Sequence, residues 1–137
     1  MNRLSAAGTS FLFGTKTDSL NGEWHFAYIL GGLGVQDVLF ATGFAKQEYG
    51  TTLRTFDKTN NVWMGVWTQP ERDQYAYLRA ESTEKGIVHE LLYLTDRREQ
   101  WKFVEITKNS FEWRSEISKD GGATWYTNQT ITGLKRQ

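Results

Sequence analysis

The sequence predicts an all-β fold, an antiparallel up-and-down β-barrel of about nine strands, and three observations carry that expectation. Apolar and polar residues alternate with the period of a strand: Trp24, Phe26, Tyr28 and Leu30 point one way, Glu23, His25, Ala27 and Ile29 the other. Six Trp, six Tyr and eight Phe stand against a single Pro, a composition suited to pleated, half-buried surfaces. Short runs of this kind recur at even spacing between turn-forming clusters, and no helical stripe of useful length interrupts them. Sequential hairpins of this sort form a meander, and closure into a barrel removes its edges; an open β-sandwich is the structural alternative.

Taken in order, residues 1–20 are weakly patterned and read as a frayed tail followed by a short first strand anchored by Phe11 and Phe13. The clear strand from Gly22 ends at Gly31-Gly32-Leu33-Gly34, where glycine accepts the positive φ of a hairpin loop, and Val35 to Ala41 returns as its partner. Tyr49 to Asp57 and Val62 to Gln69 form the next hairpin across Lys58-Thr59-Asn60-Asn61. With Asp57 paired near Val62, Thr52, Arg54 and Phe56 share a face with Trp63, Gly65 and Trp67, while Leu53 joins Met64 and Val66 on the other. Both faces carry apolar groups, so parity leaves open which one looks inward. Pro70-Glu71-Arg72-Asp73 is a turn, since proline cannot donate within a ladder. Strands follow at 74–81, 86–94, 99–107, 110–118 and 123–132. In the last hairpin, a register shift of one residue at Gly121-Gly122 puts Phe111, Trp113, Ile117, Trp125 and Ile131 inside. It puts Glu112, Arg114, Glu116, Tyr126 and Asn128 outside.

A chain of 137 residues fits one domain, 1–137, able to bury its own core. It contains no cysteine, so disulfides and thiolate metal sites are excluded, which suits a reducing compartment. Sixteen basic residues balance sixteen acidic ones, an argument against a broad nucleic-acid or anionic-membrane footprint. The start, MNRLSAAGTSFLFG, is too polar for a signal peptide, and no stretch approaches the roughly 20 apolar residues of a membrane span. The expectation is a cytoplasmic protein with no nucleic-acid or membrane partner.

No phosphate loop, dinucleotide fingerprint, zinc spacing or nucleophile elbow is present, so no cofactor is implied. His25 and His89 are the only histidines; a metal site using both with Glu90 or Asp37 is conceivable, but two histidines on separate strands are more often unrelated. Ser118-Lys119-Asp120-Gly121-Gly122-Ala123-Thr124-Trp125 matches the S-x-D-x-G-x-T-W pattern of an Asp-box. One copy in a chain this short reads as a structural turn, its carboxylate capping backbone N–H groups above the tryptophan, and not as a glycosidase site. Arg54, among Phe56, Trp63 and Trp67, suits an anion anchor for a ligand carboxylate or enolate; the plain alternative is a surface arginine paired with a carboxylate. His89 alternates with Ile87, Leu91 and Tyr93, where a histidine is usually a hydrogen-bonded core residue, yet it is the best acid or base for an enzyme.

Three segments, GEWHFAYILGGLGVQDV, YGTTLRTFDKTNNVWMGVW and FEWRSEISKDGGATWYTNQ, together resemble an uncharacterised bacterial lipocalin-like family with calycin-type β-barrels. The resemblance rests on Trp24, the LGGLG turn and Asp37, on Leu53-Arg54, Asp57, Trp63 and Trp67, and on Trp113, Ser118 to Trp125 and Asn128. It spans most of residues 22–130 and implies the barrel, but brings no activity, because fold does not settle function. One departure is the first strand, where such proteins carry a Gly-x-Trp element and this chain has Phe11-Leu12-Phe13-Gly14 followed by Thr15-Lys16-Thr17. A shortened or replaced first strand leaves an edge for the tail or a second subunit to cover, hence an expected homodimer.

The leading functional expectation is a barrel that binds a small hydrophobic or aromatic molecule. Trp63, Trp67, Trp113 and Trp125 would wall it, Arg54 would orient it and His89 would lie nearby. The alternatives are a cyclase, isomerase or lyase on the same scaffold, with His89 or His25 moving a proton, and a barrel filled solid by its aromatics.

Overall fold

A computed structural model describes residues 9–15, 21–41 and 48–135, and in it the strands close into an antiparallel barrel. The strands are β1 (Thr9–Thr15), β2 (Asn21–Ile29), β3 (Gly34–Ala41), β4 (Glu48–Asp57), β5 (Val62–Gln69), β6 (Gln74–Thr83), β7 (Gly86–Leu91), β8 (Arg98–Val104), β9 (Ser110–Ser118) and β10 (Tyr126–Lys135). Each pairs with its sequence neighbours, and β1 pairs with β10 to complete the ring. The up-and-down barrel is therefore the fold, with ten strands rather than nine. No helix among the described residues is long and apolar enough to cross a membrane.

The expected gap at the first strand is absent. The seven residues of β1 are all paired, with β2 from Thr9↔Phe26 to Gly14↔Asn21 and with β10 from Phe11↔Lys135 to Thr15↔Ile131. Phe13, in a strand without tryptophan, is buried and meets Trp24 edge-on. Closure removes the open edge that pointed to a second subunit. The frayed tail of the sequence reading falls largely on residues 1–8, outside the described residues.

The ambiguous hairpin resolves in favour of its arginine. Thr52↔Trp67, Arg54↔Gly65 and Phe56↔Trp63 pair across β4 and β5 with their side chains on the inner face. Leu53, Met64 and Val66 stand outside, 36–42% exposed, in a shallow groove shared with Tyr77 and Tyr93. Several strand limits differ from expectation, among them the end of β10 at Lys135 in place of 132. β7 stops at Leu91, and Tyr93 beyond it takes a positive φ of 65° and is exposed. β8 ends at Val104, and β10 begins only at Tyr126.

The last hairpin shifts register at Asn128, between Thr127 and Gln129, and not at the glycine pair. The bulge puts Tyr126 opposite Ile117 and Ile131 opposite Trp113, and aims Gln129 inward. A β-bulge adds one residue to one strand only, so the face of every residue before it is inverted relative to a regular count. The faces expected for Trp125 and Tyr126 are inverted by it, while Asn128, the unpaired bulge residue, is exposed as expected.

The core is an aromatic cluster around Trp24. Phe13, Leu39, Phe103, Phe111 and Ile131 are buried with it. The Trp24 ring stacks on Phe26 at 5.4 Å and meets Phe103 and Phe111 at the same centroid distance. Two inward glycines make room: a Cβ at Gly50 would strike the Trp67 indole, and one at Gly133 the Phe111 ring. Large rings on one strand thus lie across bare backbone on the next, which keeps the wall close-packed without overfilling it.

Candidate functional site

Arg54, Asp37 and His89 meet in the middle of the barrel. Asp37 stands on β3 opposite Phe26 and Thr52, on the inner face, and is completely buried. An inward carboxylate needs a counter-charge, and the neighbouring strand supplies it: Arg54 Nη1 donates to Asp37 Oδ2 at 2.6 Å. Arg54 Nε donates to His89 Nε2 at 2.9 Å, and His89 Nδ1 lies 3.0 Å from the Trp101 carbonyl oxygen. Since a carbonyl only accepts, the imidazole carries its proton on Nδ1 and offers Nε2 as acceptor. Gly65, paired with Arg54, keeps the path open, because a Cβ there would press on the Arg54 Cγ at 3.1 Å.

Electrostatically the cluster is neutral. The guanidinium and the carboxylate cancel, and burial, then the charge of Arg54, pushes the His89 imidazole down to about 3. Asp37 Oδ1 is buried without a hydrogen-bond partner, so the ion pair is tight on one carboxylate oxygen only. Arg54 uses two of its five N–H groups on these neighbours, and Nη2 makes no hydrogen bond among the described residues.

Among the described residues, the arginine and the histidine alone are common to the walls of two chambers. The larger, about 310 Å³, opens at the barrel end bearing the β2–β3, β4–β5, β6–β7 and β8–β9 turns. It is lined by Phe11, Phe26, Val35, Trp63, Phe103 and Phe111, among others. The smaller, about 120 Å³, lies toward the opposite end, among Trp24, Trp67, Trp101 and Trp113 with Thr52, Gln69, Gln74 and Gln129. The barrel is therefore neither a single tube nor filled solid.

No protein-family model matches the chain. No curated protein matches it either. Roles are therefore argued from geometry alone.

The predicted site residues divide among three places. Arg54 and His89 form the partition, Trp63 walls the larger chamber, and Trp67 and Trp113 wall the smaller. Trp125 does not line either chamber. It sits in the Asp-box turn ahead of β10, where its Nε1 donates to the Gly122 carbonyl at 3.1 Å and the Arg98 guanidinium lies 5.1 Å over its ring. The two histidines face opposite sides of the wall. His25 is on the outer face between Ser10 Oγ (3.0 Å) and Glu23 Oε1 (3.1 Å), so it shares no site with His89.

Sequence reasoning missed Asp37 as a partner for Arg54, and it missed Trp101 and the phenylalanines of the larger chamber. A signal existed for each. Counting the hairpin register back from the LGGLG turn puts Asp37 opposite Phe26 on the inner face, and parity along β8 puts Glu99, Trp101 and Phe103 together. Glu99 fixes that strand: it is buried and accepts hydrogen bonds from Trp101 Nε1 (2.8 Å), Ser115 Oγ (3.1 Å) and Arg97 Nε (2.9 Å).

Proposed function

We propose that the protein is a binding barrel of lipocalin-like kind. It holds one small apolar molecule in the larger chamber, with a neutral hydrogen-bond acceptor of that molecule directed at Arg54. The observation that carries this reading is the chamber itself: about 310 Å³, walled by aromatic and aliphatic side chains, with the Arg54 guanidinium, the His89 imidazole and Ser82 as its polar groups. Small-molecule sites combine mostly apolar walls with a few fixed polar groups, and their volumes start near 300 Å³. A cavity of about 150 Å³ already accommodates benzene, so a bicyclic aromatic fits here.

The charge balance refines the ligand class. An arginine neutralised by a buried carboxylate still offers N–H donors but no surplus positive charge. A carboxylate brought into the chamber would add an uncompensated buried anion, whereas a ketone, amide or hydroxyl would not. The expected ligand therefore carries a carbonyl or hydroxyl oxygen in place of the carboxylate or enolate foreseen from sequence. Proton transfer at His89 is disfavoured by the same geometry, since both ring nitrogens are engaged and the imidazolium is strongly opposed.

Calorimetric titration with naphthalene, 1-acetonaphthone and 1-naphthoate tests this. The ketone should bind most tightly, and Ala80→Leu, which adds bulk to the buried Ala80 of the chamber wall, should abolish binding while the circular dichroism stays that of the parent. No saturable heat with any of the three would sink the reading, and tightest binding of the naphthoate would overturn the neutral-acceptor class.

A further inference from the structure

The smaller chamber has a different character, and different residues argue for it. Gln69, at the end of β5, is 2% exposed, and Thr52, on β4, is 3% exposed. Both side chains line this chamber and not the other. Neither forms a side-chain hydrogen bond among the described residues; the fully buried polar atoms that also lack a partner are Trp24 Nε1 and Asp37 Oδ1. Both residues border the chamber from the neighbouring strands β4 and β5, their side chains almost wholly withdrawn from solvent. Buried polar side chains are ordinarily hydrogen-bonded, and an amide left without a partner costs stability. Two such groups on one cavity, under an indole wall, call for a polar occupant.

We propose that this chamber is a second binding site, for a small neutral polar molecule, or group, that both donates and accepts hydrogen bonds, of the carboxamide type. The amide of Gln69 and the hydroxyl of Thr52 each supply a donor and an acceptor, which a carboxamide answers on both edges. The indoles of Trp67 and Trp101, edge-to-face at 6.1 Å, give flat walls for a planar group. A volume of about 120 Å³ limits the occupant to about five non-hydrogen atoms, judged against benzene in a cavity of about 150 Å³. Exposed Gln74 and Gln129 at the rim add further amides along the way in. Neutrality follows from the partition, where Asp37 already balances Arg54.

Two variants and one probe decide it. Gln69→Leu replaces an unpartnered buried amide with an apolar group of similar size, so it should raise the thermal midpoint, as expected where a residue is kept for function at a cost in stability. Its spectrum also identifies the Gln69 side-chain NH2 signals by their loss. In the parent protein those signals should shift saturably with acetamide in the millimolar range, as befits a four-atom fragment, and less or not at all with acetate. Thr52→Val should weaken the acetamide response several-fold and leave the fold intact. A lowered midpoint or loss of folding in Gln69→Leu would make the amide structural and overturn the site. Absence of a saturable acetamide shift would mean that water alone serves these groups, and a stronger response to acetate would overturn the neutral class. None of these readings depends on the larger chamber, which acetonaphthone reports separately.

Discussion

The two ends of this barrel share a partition and little else. Toward one end the walls are phenylalanine rings, Trp63 and aliphatic side chains, and the polar residues are Arg54, His89 and Ser82. Toward the other, tryptophans alternate with Thr52 and three glutamines. The contrast shows how a period-two wall builds two environments from one pattern. Along each strand every inward position is a free choice, so the chain can place Trp63 near one end of β5 and Trp67 with Gln69 near the other without disturbing the ladder. What keeps the two apart is an ion pair and a histidine, not a layer of hydrocarbon.

The strongest way to break the comparison is to break the partition. Asp37→Ala leaves the Arg54 charge buried without a counter-ion and should cost about 3–5 kcal/mol in urea denaturation. The double variant Asp37→Leu/Arg54→Met should recover most of that loss and let the chambers communicate, so that acetonaphthone also perturbs Trp67. A double variant as unstable as the single one would show that the pair holds the fold and does more than separate two spaces.

The next effect is on pH. His89 has a folded value near 3 against an ordinary 6.5, so the unfolded chain binds the extra proton between those values. Its contribution is complete above pH 6.5 and is lost as the pH falls toward 3, at up to about 1.4 kcal/mol per pH unit. His89→Gln, which keeps an acceptor for Arg54, should flatten the denaturation midpoint over that window relative to the parent. Parallel profiles would show that the imidazole is not held neutral by its surroundings.

A smaller change sharpens the comparison from one side only. Gly50→Ala drives a methyl into the Trp67 indole, a misfit costing about 1–3 kcal/mol. It should abolish the acetamide response and spare acetonaphthone binding. Loss of both would mean that the ends are mechanically coupled.

The smallest effect lies outside both chambers, in the Asp-box turn. Asp120 is held down to about 2, mainly by the Thr124 hydroxyl and then by the Thr124 backbone N–H, with Ser118 adding a third hydrogen bond. Its contribution is present above the ordinary carboxylate value of 3.8 and is lost as the pH falls through 2. Because the group is exposed and screened by solvent, Asp120→Asn should lower the thermal midpoint only slightly at pH 7. It should not lower it at pH 2, and both probes should still bind.

Much of this architecture was legible before any coordinates. Alternation gave the strands, and the turn at Lys58–Asn61 gave the register of β4 and β5 residue for residue, Asp57 opposite Val62. The inward face of that hairpin was not legible because Leu53, Met64 and Val66 are as apolar as their alternatives, and only the partner on β3 breaks the tie. Arg54 and His89 were found because polar residues on apolar faces stand out. Asp37 was passed over because its face becomes clear only when β2 and β3 are set in register. Trp125 was misplaced because the bulge at Asn128 has no compositional signature, unlike the glycine pair that seemed to explain the same shift.

Every ladder but one joins neighbours in sequence; the exception is the seam between β1 and β10. It ties Phe11 to Lys135, across almost the whole described chain. During synthesis β1 can pair with β2 at once, but its other edge must wait until the last strand leaves the ribosome. For that interval β1 presents an unpaired strand edge, the kind that recruits foreign strands. The polar residues Thr9, Ser10 and Thr15 flank the apolar run Phe11-Leu12-Phe13 on that edge. Cutting the chain short of Tyr126 would make that passing exposure permanent, and such chains are expected to aggregate more readily than the full sequence.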